Sequence, residues 1–150
     1  MEEMNVLRAQ AAEKFPQIKW HDPMEGVDAR VVVERVERLA SHAALERKRA
    51  YVGSTSSAAW RGEGGWHFRG EGSTNRVYME GHCENYAQMH VLGAWPDQQA
   101  AEMEVLAIRA ARRAAGPWLQ NDVDAVDARG LAIRPYAYSF VYICIADLAD

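Results

Sequence analysis

The stretch between Pro96 and Gly116-Pro117, DQQAAEMEVLAIRAARRAA, fixes more of this chain's fold than any other segment. Asp97 after Pro96 is a good N-cap, and Gly-Pro ends a helix because glycine accepts a left-handed backbone and proline cannot continue the ladder. At about 100° per residue, Glu102, Arg109, Arg112 and Arg113 gather on one side, the solvent side. Glu104 falls on the other, among Ala100, Ala107, Ile108, Ala111 and Ala115. An amphipathic helix with an alanine stripe must pack closely on something, and it carries a carboxylate into that contact. Burying an ionised carboxylate costs several kcal/mol unless a cation, a metal or hydrogen bonds compensate it. Two explanations stand open: a functional carboxylate, or an internal ion pair with an arginine such as Arg61.

The rest of the chain supplies the partner for that helix. With 150 residues and 49% hydrophobic content there is enough apolar side chain for one core, so a single compact unit is expected. Met1–Phe15 reads as a short helix ended by Pro16. Val27–Lys48 carries Val32, Val36, Leu39 and Ala43 at helical spacing, which predicts a long amphipathic helix despite the β-branched run Val31-Val32-Val33. Arg49–Gly53 is short, apolar and ends on glycine, as a strand entering a turn does. Ser54–Ser57 reads as a polar connection, with Ala58–Arg61 opening a brief helix before the glycines at 62, 64 and 65. Val77–Met79 and Tyr86–Leu92 read as strands, and Tyr138–Ile145 (YSFVYICI) is the clearest strand of all. The expected fold class is α/β (α+β): a small central sheet of three or more strands flanked by helices, with residues 1–48 as a helical extension packed on a domain spanning 49–150.

The net charge of −4 gives no general attraction to nucleic acid or to an anionic membrane. The charge is unevenly spread, however. Arg47, Lys48, Arg49, Arg61, Arg69 and Arg76 face only Glu63 and Glu71 in their segment, which marks a plausible face for a polyanion, while the chain after Asn121 is acidic. Cys83 and Cys144 lie far apart with no CxxC spacing, the pattern of reduced thiols in a cytoplasmic protein. The acidic start MEEMNV is unlike a signal peptide, and no apolar run reaches the length of a membrane span. His82, Cys83 and His90 match no strong zinc spacing. Trp60 and Trp66 beside Arg61 and Arg69 suit either base stacking or pinning of a loop.

Four pieces line up in order: Tyr51-Val52-Gly53 with Ser54-Thr55, then Arg61, then Ala100-x-x-x-Glu104-x-x-x-Ile108 on the helix, then Asn121. This order resembles the GIY-YIG nuclease superfamily over about residues 49 to 145. The family's first motif does not precede Tyr51, but Phe140-Val141-Tyr142-Ile143 resembles it, an arrangement that is circularly permuted. The alternative is that Tyr138–Ile145 is simply the closing strand. The resemblance implies a metal-dependent DNA endonuclease. In it Glu104 would hold a single Mg²⁺ or Mn²⁺, Arg61 would bind the scissile phosphate, and Tyr51 with Tyr142 or His67 would orient or deprotonate the water. Arg49, Ser54, Thr55, Arg69, Arg76 and Asn121 would contact nucleic acid, with Asn121 ordering the site. The N-terminal helices would then support the domain or form a homodimer surface. A degenerate domain of the same fold, binding nucleic acid or a protein partner without catalysis, is the other expectation.

Overall fold

The computed structural model describes residues 16–60, 66–68, 86–121 and 137–146; at 55–60, 66–68, 97 and 137–138 the description is of the backbone. In chain order these residues form β1 (Ile18–Trp20), α1 (Ala29–Leu45), β2 (Ala50–Trp60), β3 (Trp66–Phe68), β4 (Gln88–Pro96), α2 (Asp97–Ala115), a single 3₁₀ turn (Gly116–Trp118) and β5 (Ala137–Ile145). The helix expected at 1–15 and the strand expected at Val77–Met79 lie outside the described residues. The fold is mixed α/β, a five-stranded sheet in the order β1-β4-β5-β2-β3. β1 runs parallel to β4, and the other neighbours are antiparallel.

β5 sits at the centre because both of its faces are apolar. Val141, Ile143 and Ile145 point to the helices, while Phe140, Tyr142 and Cys144 point the other way, and all six are buried. Both described helices lie on one face, contrary to the expectation that helices flank the sheet. The reason lies in their alanines. Ala40 and Ala43 of α1 share one cluster with Ala107, Ala110 and Ala111 of α2, so the two helices pack on each other as well as on Val52, Leu92, Val141 and Ile143. Val31-Val32-Val33 is helical because Val32 and Val36 lie fully buried in that layer, and packing outweighs the small propensity penalty. The opposite face is lined by Ile18, Met24, Tyr86, Met89, Val91, Phe140, Tyr142 and Cys144, with Trp20 edge-on to Phe140 at 5.4 Å. Among the described residues no helix is long and apolar enough to cross a membrane.

α2 has the bounds read from the sequence, but Asp97 is its first helical residue and not its N-cap: Pro96 takes that place, and no side chain caps the helix there. Gly116 closes it at φ 55°, a backbone conformation that side chains disfavour, and its N–H donates to the Arg112 carbonyl. Two expectations about strands are corrected. β2 does not end at Gly53: Ser54–Trp60 stays extended, pairing with β5 as far as Ala59↔Ala137 and with β3 at Ala59↔His67, so the brief helix expected at Ala58 does not form. Pairing on two sides outweighs the local preference of Ser-Ser-Ala-Ala, and an irregularity between Ser56 and Ala58 absorbs the extra residue. Ile18–Trp20, read as a connection, is instead an edge strand on β4; three residues are too few to show alternation.

Candidate functional site

Strand β2 organises the candidate site because its alternation sends neighbouring residues to opposite faces. Ala50 and Val52 join the core under the helices, so Ser54 faces α2 as well. Tyr51 packs with the cluster on the far face. Glu104 projects from α2 toward the sheet, 6% exposed, and accepts a hydrogen bond from the Ser54 hydroxyl. Burial raises its carboxyl above the usual carboxylate range, and the Ser54 bond opposes that shift in part. Among the described residues no cation pairs with Glu104, and Arg61 lies outside them.

On the far face Tyr142 stands directly opposite Gly53 in the β5–β2 register. A Cβ at Gly53 would fall 2.5 Å from the Tyr142 hydroxyl oxygen and 2.7 Å from Cζ, so the phenol ring lies across the strand where a side chain would be. That close approach is the reason for a glycine here. Tyr142 is 4% exposed, and burial first, then the charges of Cys144, Tyr51, Glu104 and Tyr86, push its phenol far above the ordinary range. It is therefore a neutral phenol, able to donate or accept a hydrogen bond but not to serve as a phenolate base. Tyr51 is half-buried beside it, its ring 6.3 Å from that of Tyr86, and Arg49 Cζ lies 6.0 Å from the Tyr86 ring centre.

The resemblance implies that Tyr51, Arg61, Glu104 and Tyr142 face one concave surface, and for the three of these among the described residues the sheet does not provide it. The tyrosines and the carboxylate are on opposite faces, meeting across Gly53-Ser54, although Glu104 is close enough for its charge to be felt at Tyr142. Asn121 sits at the edge of β2. The Val52 N–H donates to Asn121 Oδ1 at 2.9 Å, and Asn121 Nδ2 donates to the Val52 carbonyl at 2.8 Å, so one side chain imitates a strand neighbour. Arg112 Nη2 donates to the Asn121 carbonyl at 3.0 Å, and the Gln120 N–H donates to the Ala50 carbonyl at 2.7 Å. Thr55 and His67 are placed by backbone alone, in β2 and β3. Arg61, Arg69, Arg76, His82 and Cys83 lie outside the described residues. No group of three or more His, Cys, Asp or Glu able to hold a metal occurs among the described residues.

The bond of Ser54 to Glu104 was not read from the sequence, although counting by twos from buried Val52 turns Ser54 toward α2. Tyr86, read as the first residue of a strand ending at Leu92, lies just before β4, which runs Gln88–Pro96 instead. Sequence reasoning missed a histidine pair between β1 and β4, His21 Nε2 to His90 Nδ1 at 2.8 Å. No family model, no curated protein and no solved structure matches this chain.

Proposed function

We propose that this chain is a metal-dependent DNA endonuclease, a permuted relative of the GIY-YIG nucleases in which Glu104 holds a Mg²⁺ or Mn²⁺. The observation that carries the reading is Glu104 itself: a carboxylate 6% exposed in an alanine-lined contact, with a serine hydroxyl as its partner and no cation among the described residues. Helix faces place alanine or leucine in such a position unless the charge has a use. The pairing of β5 with β2, Tyr142 opposite Gly53, supports the permuted arrangement, which needs Phe140–Ile143 beside Tyr51–Gly53.

The donor set suits a hard divalent cation. Glu104 and Ser54 offer oxygen ligands, and Mg²⁺ is commonly held by one or two carboxylates with water and substrate phosphate completing its shell. When bound, such an ion supplies charge stabilisation at the phosphoryl oxygens and acidifies water. Ser54 fixes the carboxylate's orientation through its hydroxyl. Tyr142, held neutral and across the sheet from Glu104, is not the base of this proposal. Arg61, with a fork that stays charged and meets two oxygens, is the phosphate-binding residue of this proposal, with Arg69 and Arg76 extending the basic face.

Glu104→Gln tests the reading. The amide keeps the volume and accepts from Ser54, so thermal stability should change by no more than about 1 kcal/mol. Cleavage of single-stranded, duplex or branched DNA with Mg²⁺ or Mn²⁺ should fall by at least about a hundredfold. A wild type that cuts none of them, with a variant that unfolds readily, would replace the nuclease with a structural carboxylate. One observation favours a second reading, a degenerate binding domain: Tyr51 and Tyr142 lie across the sheet from Glu104. That reading expects DNA binding by the wild type, steeply weakened by salt, without cleavage.

A further inference from the structure

At the β1 edge, a second constellation stands apart from Glu104. Lys19 pairs directly with His90 in the parallel β1–β4 register, so their side chains share a face. His21 follows β1 and meets His90 at 2.8 Å, and His90 Nε2 reaches Gln88 Oε1 at 3.1 Å. The hydrogen-bond pattern assigns the tautomers. Gln88 Oε1 only accepts, so His90 carries its proton on Nε2, its Nδ1 accepts from His21 Nε2–H, and His21 Nδ1 is left bare. Helix α1 closes the other side. Arg35 donates to the carbonyls of His21, Asp22, Pro23 and Leu92 at 3.3, 2.7, 2.9 and 2.7 Å, which spends its guanidinium on the backbone and pins the loop. Arg38, one turn further along α1, is exposed, as is Lys19. Neither makes an ion pair among the described residues.

We infer that Lys19, Arg38, His21 and His90 form a binding site for a phosphate group. Two exposed cations flank a half-buried imidazole pair, and Asp22 is the acid that faces it; Lys19 of β1 and Arg35 and Arg38 of α1 are the surrounding cations. This field repels a metal dication from the two imidazoles and attracts an oxyanion. It also holds the pair neutral: burial, then neighbouring positive charge, brings His90 down to about 4 and lowers His21. A phosphate bound between Lys19 and Arg38 offsets the positive field, and the pair then takes up one proton at His21 Nδ1, giving an imidazolium that donates to a neutral His90. A second proton is opposed because it would set two cations 2.8 Å apart. Binding and proton uptake are therefore linked, with binding tightening as pH falls from the raised midpoint of the occupied pair toward the lower midpoint of the free pair, about 4 for His90.

The test is a titration of full-length protein, free of divalent cations, with inorganic phosphate, pyrophosphate and a short DNA duplex, read at the ¹⁵N-histidine ring resonances. Phosphate or pyrophosphate should shift His21 and His90 and raise their midpoint of protonation. Lys19→Ala and Arg38→Ala, both at exposed positions, should each weaken binding by about fivefold or more. If the small phosphates saturate the shift and duplex does not compete, the occupant is a free phosphorylated molecule. If only duplex produces it, with a salt slope lowered by about one in either variant, the occupant is a backbone phosphate. Histidine resonances unmoved by all three ligands, or binding equal in both variants and wild type, would overturn the site. Running the titration also on Glu104→Gln separates this inference from the nuclease proposal, since either can fail without the other.

Discussion

Gly53 and Asn121 are the two residues around which the candidate site is assembled, and each makes a sharp expectation. In Gly53→Ala the new methyl meets the phenol of a tyrosine with no free space to retreat into, so the variant should lose about 1–3 kcal/mol in urea unfolding. Tyr142→Leu in the same chain should recover part of that loss, a non-additivity that marks direct contact. Asn121→Ala leaves the N–H and carbonyl of buried Val52 without partners, and should cost about 2–4 kcal/mol. These residues also show how far a sequence can be read. Glu104's inward direction followed from helical periodicity, which is local and survives in any tertiary setting. The role of Asn121 was not legible as a strand mimic, since its partner Val52 is 69 residues away and side chain–backbone pairing leaves no periodic trace.

Among the elements, the long ones announced themselves and the edges did not. α2 and β5 carry enough residues for periodicity and apolar content to decide, and their bounds were read to within a residue. β1 and the far half of β2 are extended because of what they pair with, which the local sequence Ile18-Lys19-Trp20 or Ser56-Ser57-Ala58 does not reveal. In β4, pairing shifts between Val91 and Gly93, so Leu92 and Trp95 both face the helices, where a strict alternation would separate them. The join of β1 to β4 should be acid-sensitive. His90 titrates near 4 in the folded protein and near 6.5 unfolded, so the unfolded chain binds more protons between those values. Its contribution is complete above pH 6.5 and is lost as pH falls toward 4, by at most about 3 kcal/mol. Urea midpoints at pH 7.5, 6 and 4.5 should decline accordingly, and His90→Gln should flatten the decline.

At the scale of the whole molecule, the alanine-lined helix pair leaves one sheet face to the helices and the other to Tyr51, Tyr86, Tyr142 and Phe140. The sequence implied the two layers but not that α1 and α2 share a side, because helix-to-helix packing of small residues is a relation between distant segments. The uneven charge, basic between Arg47 and Arg76 in a chain of net −4, belongs to this scale too, since the phosphate-binding face proposed for it would work through the summed field. In the proposed function Glu104 is buried for an ion and not for an arginine. Crystals grown with Mn²⁺ and measured at its absorption edge decide between the two. An anomalous peak within coordination distance of a Glu104 carboxylate oxygen, absent in Glu104→Gln, is the expected result; a guanidinium seated on that carboxylate, with no peak beside it, would contradict it.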